Sequence, residues 1–182
     1  MNRLCTNFLW VALMGMLLPT DVSVAADSGA VMIHPDFETT PGVYVTQVGR
    51  CPISMTISGM GGFTVLVLPS QGKKTRNIED VTGVAYLPSD ALIVTVSPMY
   101  GRPGIYRYDC LSQQLKQLVR PRTINKGYPD GADYFELQDA RGETLYLYYS
   151  PDITATDFER FRSPDYLYEV HTDGTGFRKV QQ

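Results

Sequence analysis

The amino-acid sequence predicts an all-β protein made of three consecutive four-stranded antiparallel meanders. Three observations predict it. The composition favours strands and turns, with 12 Tyr and 7 Phe against 1 Trp, and 16 Gly and 12 Pro to punctuate them. These residue types suit pleated surfaces and tight turns respectively. Runs alternating apolar and polar residues recur after residue 41, the period-two signature of a half-buried strand. The runs also repeat in phase. Residues 105–118 (IYRYDCLSQQLKQL) and 167–180 (LYEVHTDGTGFRKV) share length and pattern, and residues 65–78 (VLVLPSQGKKTRNI) fit the same template.

In chain order, the first element is an address. Residues 1–26 combine Arg3, an apolar stretch from Phe8 to Leu18, the breaker Pro19, and small residues ending at Ala25 and Ala26. That is the three-part layout of a secretory signal peptide. The stretch falls short of the roughly 20 residues of a membrane span, so no membrane span is expected. Cys5 precedes it, so Cys5 is not the acylated cysteine of a lipoprotein signal. With residues 1–26 removed, the mature chain is expected outside the cytoplasm, in a bacterial periplasm, with eukaryotic secretion the alternative. Residues 27–41, with Pro35 and Pro41, form an N-terminal extension expected to cover one end of the domain at 42–182. Cys51 and Cys110 remain after processing. In an oxidising compartment they either form one disulfide or stay as two buried thiols.

The first unit spans about 42–79, with strands at GVYVTQV (42–48) and ISMTISG (53–59) before the 65–78 hairpin. The second spans about 80–121, with VTGVAYL (81–87) and LIVTVSP (92–98) before the hairpin at 105–118. The third spans about 132–182, with DYFELQD (133–139) and LYLYYSP (145–151) before the hairpin at 167–180. Turn residues separate the strands, among them Gly49-Arg50, Pro88-Ser89-Asp90 and Asp173-Gly174. Four antiparallel strands per repeat make the blade of a β-propeller. A stand-alone β-sandwich also has many short strands but needs no repeats in phase. Closed propellers have roughly four to eight blades, so three blades predict a partial, open β-propeller.

The third unit carries Tyr149-Ser150-Pro151-Asp152 after a strand, then Thr172-Asp173-Gly174-Thr175-Gly176 in a turn. This resembles the repeats of the TolB-like propeller family, in which a strand ending in Ser-Pro-Asp is followed by a strand and an Asp-Gly turn. The second unit has Met99 where the third has Asp152 and lacks the Asp-Gly turn. The first matches by pattern alone. A repeat-level likeness implies a fold and transfers no function.

Composition and motifs narrow the function. The net charge of −3 shows no basic excess, so nucleic acid is not an expected partner. His34 and His171 are the only histidines, and neither has a partner at metal-ligand spacing. No nucleophile elbow, zinc-protease motif or Gly-rich phosphate loop is present. The carboxylates cluster at Asp130 and Asp133, and at Asp152, Asp157, Glu159 and Asp165. They read as solvated loops, with a calcium site at the second cluster as the alternative. No catalytic residue, metal ligand or cofactor is therefore assigned.

The long connections, residues 58–62, 97–104, 120–132 and 150–165, all leave a meander from the same side. Long loops on a rigid scaffold are where binding concentrates. Ser97, Met99, Tyr100 and Arg102 in the second, Tyr128 in the third, and Phe158, Arg160 and Arg162 in the fourth are the candidate partner-binding residues. Aromatic residues, Met and Arg are enriched at protein interfaces. Phe158 and Phe161 read either as contacts or as anchors of their loop. The expected function is a periplasmic, non-enzymatic protein-binding module acting as an inhibitor. In size, compartment and repeat layout the chain is similar to periplasmic immunity proteins that neutralise cell-wall amidase effectors of type VI secretion by pushing a loop into the catalytic cleft. That likeness implies residues 97–102 as the inserted loop and a secreted peptidoglycan amidase as the partner. An envelope scaffold of the TolB-like kind and a small-ligand or carbohydrate-binding protein are the alternatives.

Overall fold

Each of the three sequence units folds into its own antiparallel sheet in a computed structural model of the chain. The structure describes residues 22–24, 30–33, 42–57, 64–71, 74–99, 101–122, 127, 130–157 and 159–181. The first sheet contains β3 (Gly42–Val48), β4 (Cys51–Ile57), β5 (Thr64–Ser70) and β6 (Lys74–Ile78) in that order. The middle sheet contains β7 (Val81–Leu87), β8 (Ala91–Val96), β9 (Gly104–Asp109) and β10 (Gln114–Val119). The third contains β11 (Tyr134–Arg141), β12 (Thr144–Ser150), β13 (Leu167–His171) and β14 (Arg178–Lys179). None of these sheets closes on itself among the described residues. No helix of the described residues is long and apolar enough to cross a membrane.

Two features depart from the sequence expectation. β4 starts at Cys51, because the two-residue turn at Gly49 and Arg50 lets pairing resume at once with Val48 opposite Cys51. Gly49 takes φ +55°, and the Tyr86 ring lies where a side chain would stand. The N-terminal extension, read without strands from the sequence, contributes β2 (Val31–Ile33), which joins the middle sheet in plane, pairing with Val84, Ala85 and Tyr86; its residues 27–29 and 34–41, with Pro35 and Pro41, lie outside the described ones. The free edge of β7 presents unpaired backbone groups, and adding a strand satisfies them. β1 (Val22–Val24) pairs with β2 in turn. It falls within the expected signal segment, whose other residues lie outside the described ones.

Packing follows from alternation. The first sheet turns Ile53, Met55, Leu66 and Leu68 inward, onto Val84, Leu92, Val94 and Tyr108 of the middle sheet. The third turns Phe135, Leu137, Leu145 and Leu147 inward, onto Ala85, Leu87, Ile93 and Ile105. The middle sheet is covered on both faces, and all six residues of β8 are buried. Polar groups also cross between layers. The Leu137 amide donates to Thr95 Oγ1 at 3.3 Å, and the Thr82 hydroxyl donates to the Phe135 carbonyl at 2.5 Å.

The short turns of the first and middle sheets meet on one side of the molecule. There Cys51 and Cys110 form a disulfide with Cα atoms 5.2 Å apart. Beside it, Arg50 pairs with Asp90 at 3.6 Å, and the Gln71 amide donates to the Ser112 carbonyl at 3.0 Å. The disulfide joins cysteines 59 residues apart, and closing a loop of that length stabilises by about 4 kcal/mol in the chain-entropy account. Replacing both cysteines by Ala is therefore expected to lower the unfolding free energy by about 4 kcal/mol in urea titrations. Reductant added to the wild type should reproduce the loss, and have no effect on the double variant.

Candidate functional site

The long connections leave from the side opposite the disulfide. Residues 97–104, between β8 and β9, are fastened at both ends. The carboxylate of Asp80, in the link between β6 and β7, accepts from the Ser97 hydroxyl and from the Met99 amide at 3.0 Å. The Asp80 carbonyl accepts from the Ser97 amide at 2.9 Å. Asp80 itself has φ +57°, a left-handed conformation that Asp adopts more readily than most residues. Gly101 lies flat on this link, since a Cβ there would stand 2.4 Å from the Glu79 carbonyl oxygen. The far end is tied as well. Tyr106 donates to the Arg102 carbonyl at 2.8 Å, and Gln117 Nε2 donates to the Pro103 carbonyl at 3.3 Å. Burial pushes the Tyr106 hydroxyl above its ordinary value, so it stays a protonated donor.

From this frame Met99 projects with 59% of its surface exposed, and Arg102 is exposed. Ser97 is placed differently. It is 3% exposed with its hydroxyl on Asp80, so it fastens the base of the loop. Tyr100 lies outside the described residues, as do Tyr128 and Phe158. Arg160 and Arg162 sit on the 150–165 connection, each guanidinium side chain about 70% exposed. Arg160 pairs with Asp165 at 3.4 Å and Arg162 with Glu136 at 2.9 Å. Phe161 anchors this connection, 2% exposed, with Tyr134 and Tyr148 edge-on at 5.0 and 5.8 Å. Asp152 caps a short 3₁₀ turn, Ile153–Ala155, accepting from the Thr154 amide and hydroxyl at 2.9 and 2.7 Å.

A cleft of about 490 Å³ opens beside the 97–104 loop. Arg76, Asn77 and Ile78 of β6 form one wall with Glu79. Tyr106 of β9 and Leu115 of β10 face them, and Gly101, Arg102 and Asp130 complete the lining. The ion pairs among the described residues leave Arg76, Glu79, Arg102 and Asp130 out. Charges of both signs thus line one opening without an ion-pair partner among the described residues. Of the sequence candidates among the described residues only Arg102 lines the cleft. The β6 wall was not singled out, although Lys74-Thr75-Arg76-Asn77 is polar on both strand faces, the mark of an uncovered edge strand. The carboxylates Asp130 and Asp133, neighbours in sequence, part company in the fold. Asp130 is exposed at the cleft. Asp133 is buried and accepts from Tyr149 Oη at 2.8 Å and the Arg122 amide at 2.9 Å. Among the described residues no three His, Cys, Asp or Glu side chains lie close enough to hold a metal ion.

Two outcomes follow from these contacts. Asp80→Ala removes the acceptor of the Ser97 and Met99 bonds, and is expected to cost about 1–3 kcal/mol of stability. The Met99 amide should exchange at least tenfold faster in hydrogen-exchange NMR, with β8 amides moved far less. For Asp152, the hydrogen bonds from the Thr154 hydroxyl and amide hold the carboxyl below its ordinary value of 3.8. A depressed carboxyl stabilises above its unfolded value, and that contribution is lost as pH falls through the folded one. The Thr154 amide resonance should therefore titrate on acidification with its midpoint below the ordinary carboxyl value of 3.8. Comparison with family models, with characterised proteins and with solved structures gives no match, so the site is read from its own geometry.

Proposed function

We propose that the chain is a secreted, non-enzymatic protein-binding module that acts as an inhibitor. In this reading residues 97–104 enter the catalytic cleft of a peptidoglycan-cleaving amidase in the periplasm and exclude its substrate. The three sheets are then the blades of an open propeller arc of TolB-like repeats. The stacking of consecutive four-stranded meanders through their faces supports that arrangement. A disulfide supports an oxidising compartment, as the expected signal peptide does.

The fastening of the 97–104 loop to Asp80 carries the proposal. A loop that inserts into an enzyme must keep its shape beforehand, since ordering it on binding costs affinity. Asp80, Glu79, Tyr106 and Gln117 hold this loop at its base and far end while Met99 and Arg102 remain outward. Met and Arg are side chains that interfaces favour, and Ser97 serves as the lock at the base.

The test begins with tagged protein purified after secretion, used to capture partners from a periplasmic extract at high salt. One stoichiometric partner of hydrolase fold is expected, with its amidase activity on peptidoglycan abolished by an equimolar amount of the protein. Met99→Ala and Arg102→Ala should each weaken the complex by about 1–3 kcal/mol in titration calorimetry. Several weakly held envelope proteins, or a partner bound equally well by the double variant, would move the function to an envelope scaffold.

A further inference from the structure

We propose that β6 and the cleft beside it form a docking groove for an extended peptide segment of the partner, bound by strand addition. The inference rests on the protein-binding reading and gives it a second contact, which adjoins the 97–104 loop and shares Gly101 and Arg102 with it.

Prolines set the phase of the backbone. Pro69 of β5 pairs with Thr75 of β6, and Pro52 of β4 pairs with Gln47 of β3. A proline has no N–H to exchange, so both pairs are of the non-hydrogen-bonded kind. Counting from Pro52, Ser54 also turns its polar backbone groups away from β3, onto Val67 of β5. Val67 then turns away from Asn77 of β6. Both prolines give the same phase. Thr75 and Asn77 therefore aim their N–H and C=O groups outward, away from β5. β6 is the last strand of its sheet, and no described strand pairs with that edge. These two residues offer donors and acceptors at the spacing of about 7 Å that an added strand meets. The corresponding edge of β10 is less available. It is bulged between Gln117 and Val119, and Gly174 packs against its Leu118 carbonyl.

The groove specifies its occupant by charge. A purely acidic segment would meet Glu79 and Asp130, and a purely basic one would meet Arg76 and Arg102. A segment carrying both signs on one face, two residues apart, can pair with both sets. Tyr106 and Leu115 supply the apolar floor, and the cleft falls within the volume range of ligand sites.

The experiment uses the secreted protein and a fluorescein-labelled peptide, Ser-Glu-Val-Lys-Val-Ser, capped at both ends, read by anisotropy and by amide NMR. Saturable binding is expected, with shifts at Thr75, Asn77 and Tyr106. A version N-methylated at alternate amides should bind at least tenfold more weakly. Asn77→Pro removes an outward N–H without touching the β5 ladder and should weaken binding at least tenfold. Arg76→Glu should shift preference from the Glu/Lys peptide to a Lys/Lys one. Thermal melts confirm folding, and Thr75→Pro replaces Asn77→Pro if the latter unfolds. No saturable binding overturns the proposal, as does unchanged binding by a folded proline variant or shifts confined to residues 97–104. Dimerisation of the protein through this edge, abolished by Asn77→Pro, also overturns it by giving the edge to a second copy. Because Met99 does not line the groove, the effect of Met99→Ala on inhibition of the captured amidase, with peptide binding unchanged, reports separately on the inhibitor reading.

Discussion

Burial of the middle sheet on both faces is the constraint on which the rest of the structure depends. A four-stranded meander alone leaves one apolar face without cover, and sheets gain stability by packing that face on another layer. Here the two flanking sheets each need one partner face, and the middle sheet supplies both. That is why β8 reads Ala-Leu-Ile-Val-Thr-Val without polar alternation, while β5 and β12 alternate. Each buried Leu, Ile or Val contributes about 1.5–3 kcal/mol, so the interfaces between layers outweigh any single polar contact.

Stacking by layers leaves the strand ends on two opposite sides, and the chain treats them differently. One side has short turns stapled by the disulfide and by the Arg50–Asp90 pair. The other has the long connections, whose described residues are held by polar fastening at Asp80 and Asp152 and by the buried Phe161 ring. Asp80 links the two regimes. It lies where the chain passes from the first sheet into the middle one, so its position is set by core packing, and its carboxylate sets the position of the loop.

The same logic holds around the third sheet. Asp133 is fully buried and satisfied by Tyr149 and the Arg122 amide, which secures the 120–132 link to the end of β11. Burial, reinforced by the Asp133 carboxylate, pushes the Tyr149 hydroxyl upward and keeps it a donor. Arg122 lies over the Phe177 ring at 5.0 Å, adding a second tie to the same link. Polar residues near function are here mostly devoted to holding shape. The groups left without ion-pair partners among the described residues, Arg76, Glu79, Arg102 and Asp130, are accordingly the informative ones.

Local pattern was enough to determine the all-β class, the three units and most strand positions, since alternation and turn residues act between near neighbours. Gly42–Val48 and Val81–Leu87 coincide with the strands read from sequence alone. The sequence also limited Cys51 and Cys110 to a bridge or two thiols, and marked the 97–104 loop by its composition. Tertiary structure decided the rest. It joined the two cysteines, drew Val31–Ile33 into the middle sheet, and turned Ser97 inward to Asp80 while leaving Met99 and Arg102 outward. It also assembled the cleft from β6, β9, β10 and Asp130, segments up to 54 residues apart between Arg76 and Asp130. The reason is physical. Strand formation and turns depend on residues a few positions apart, whereas a cleft and its unpaired charges exist only where packed layers bring distant segments together.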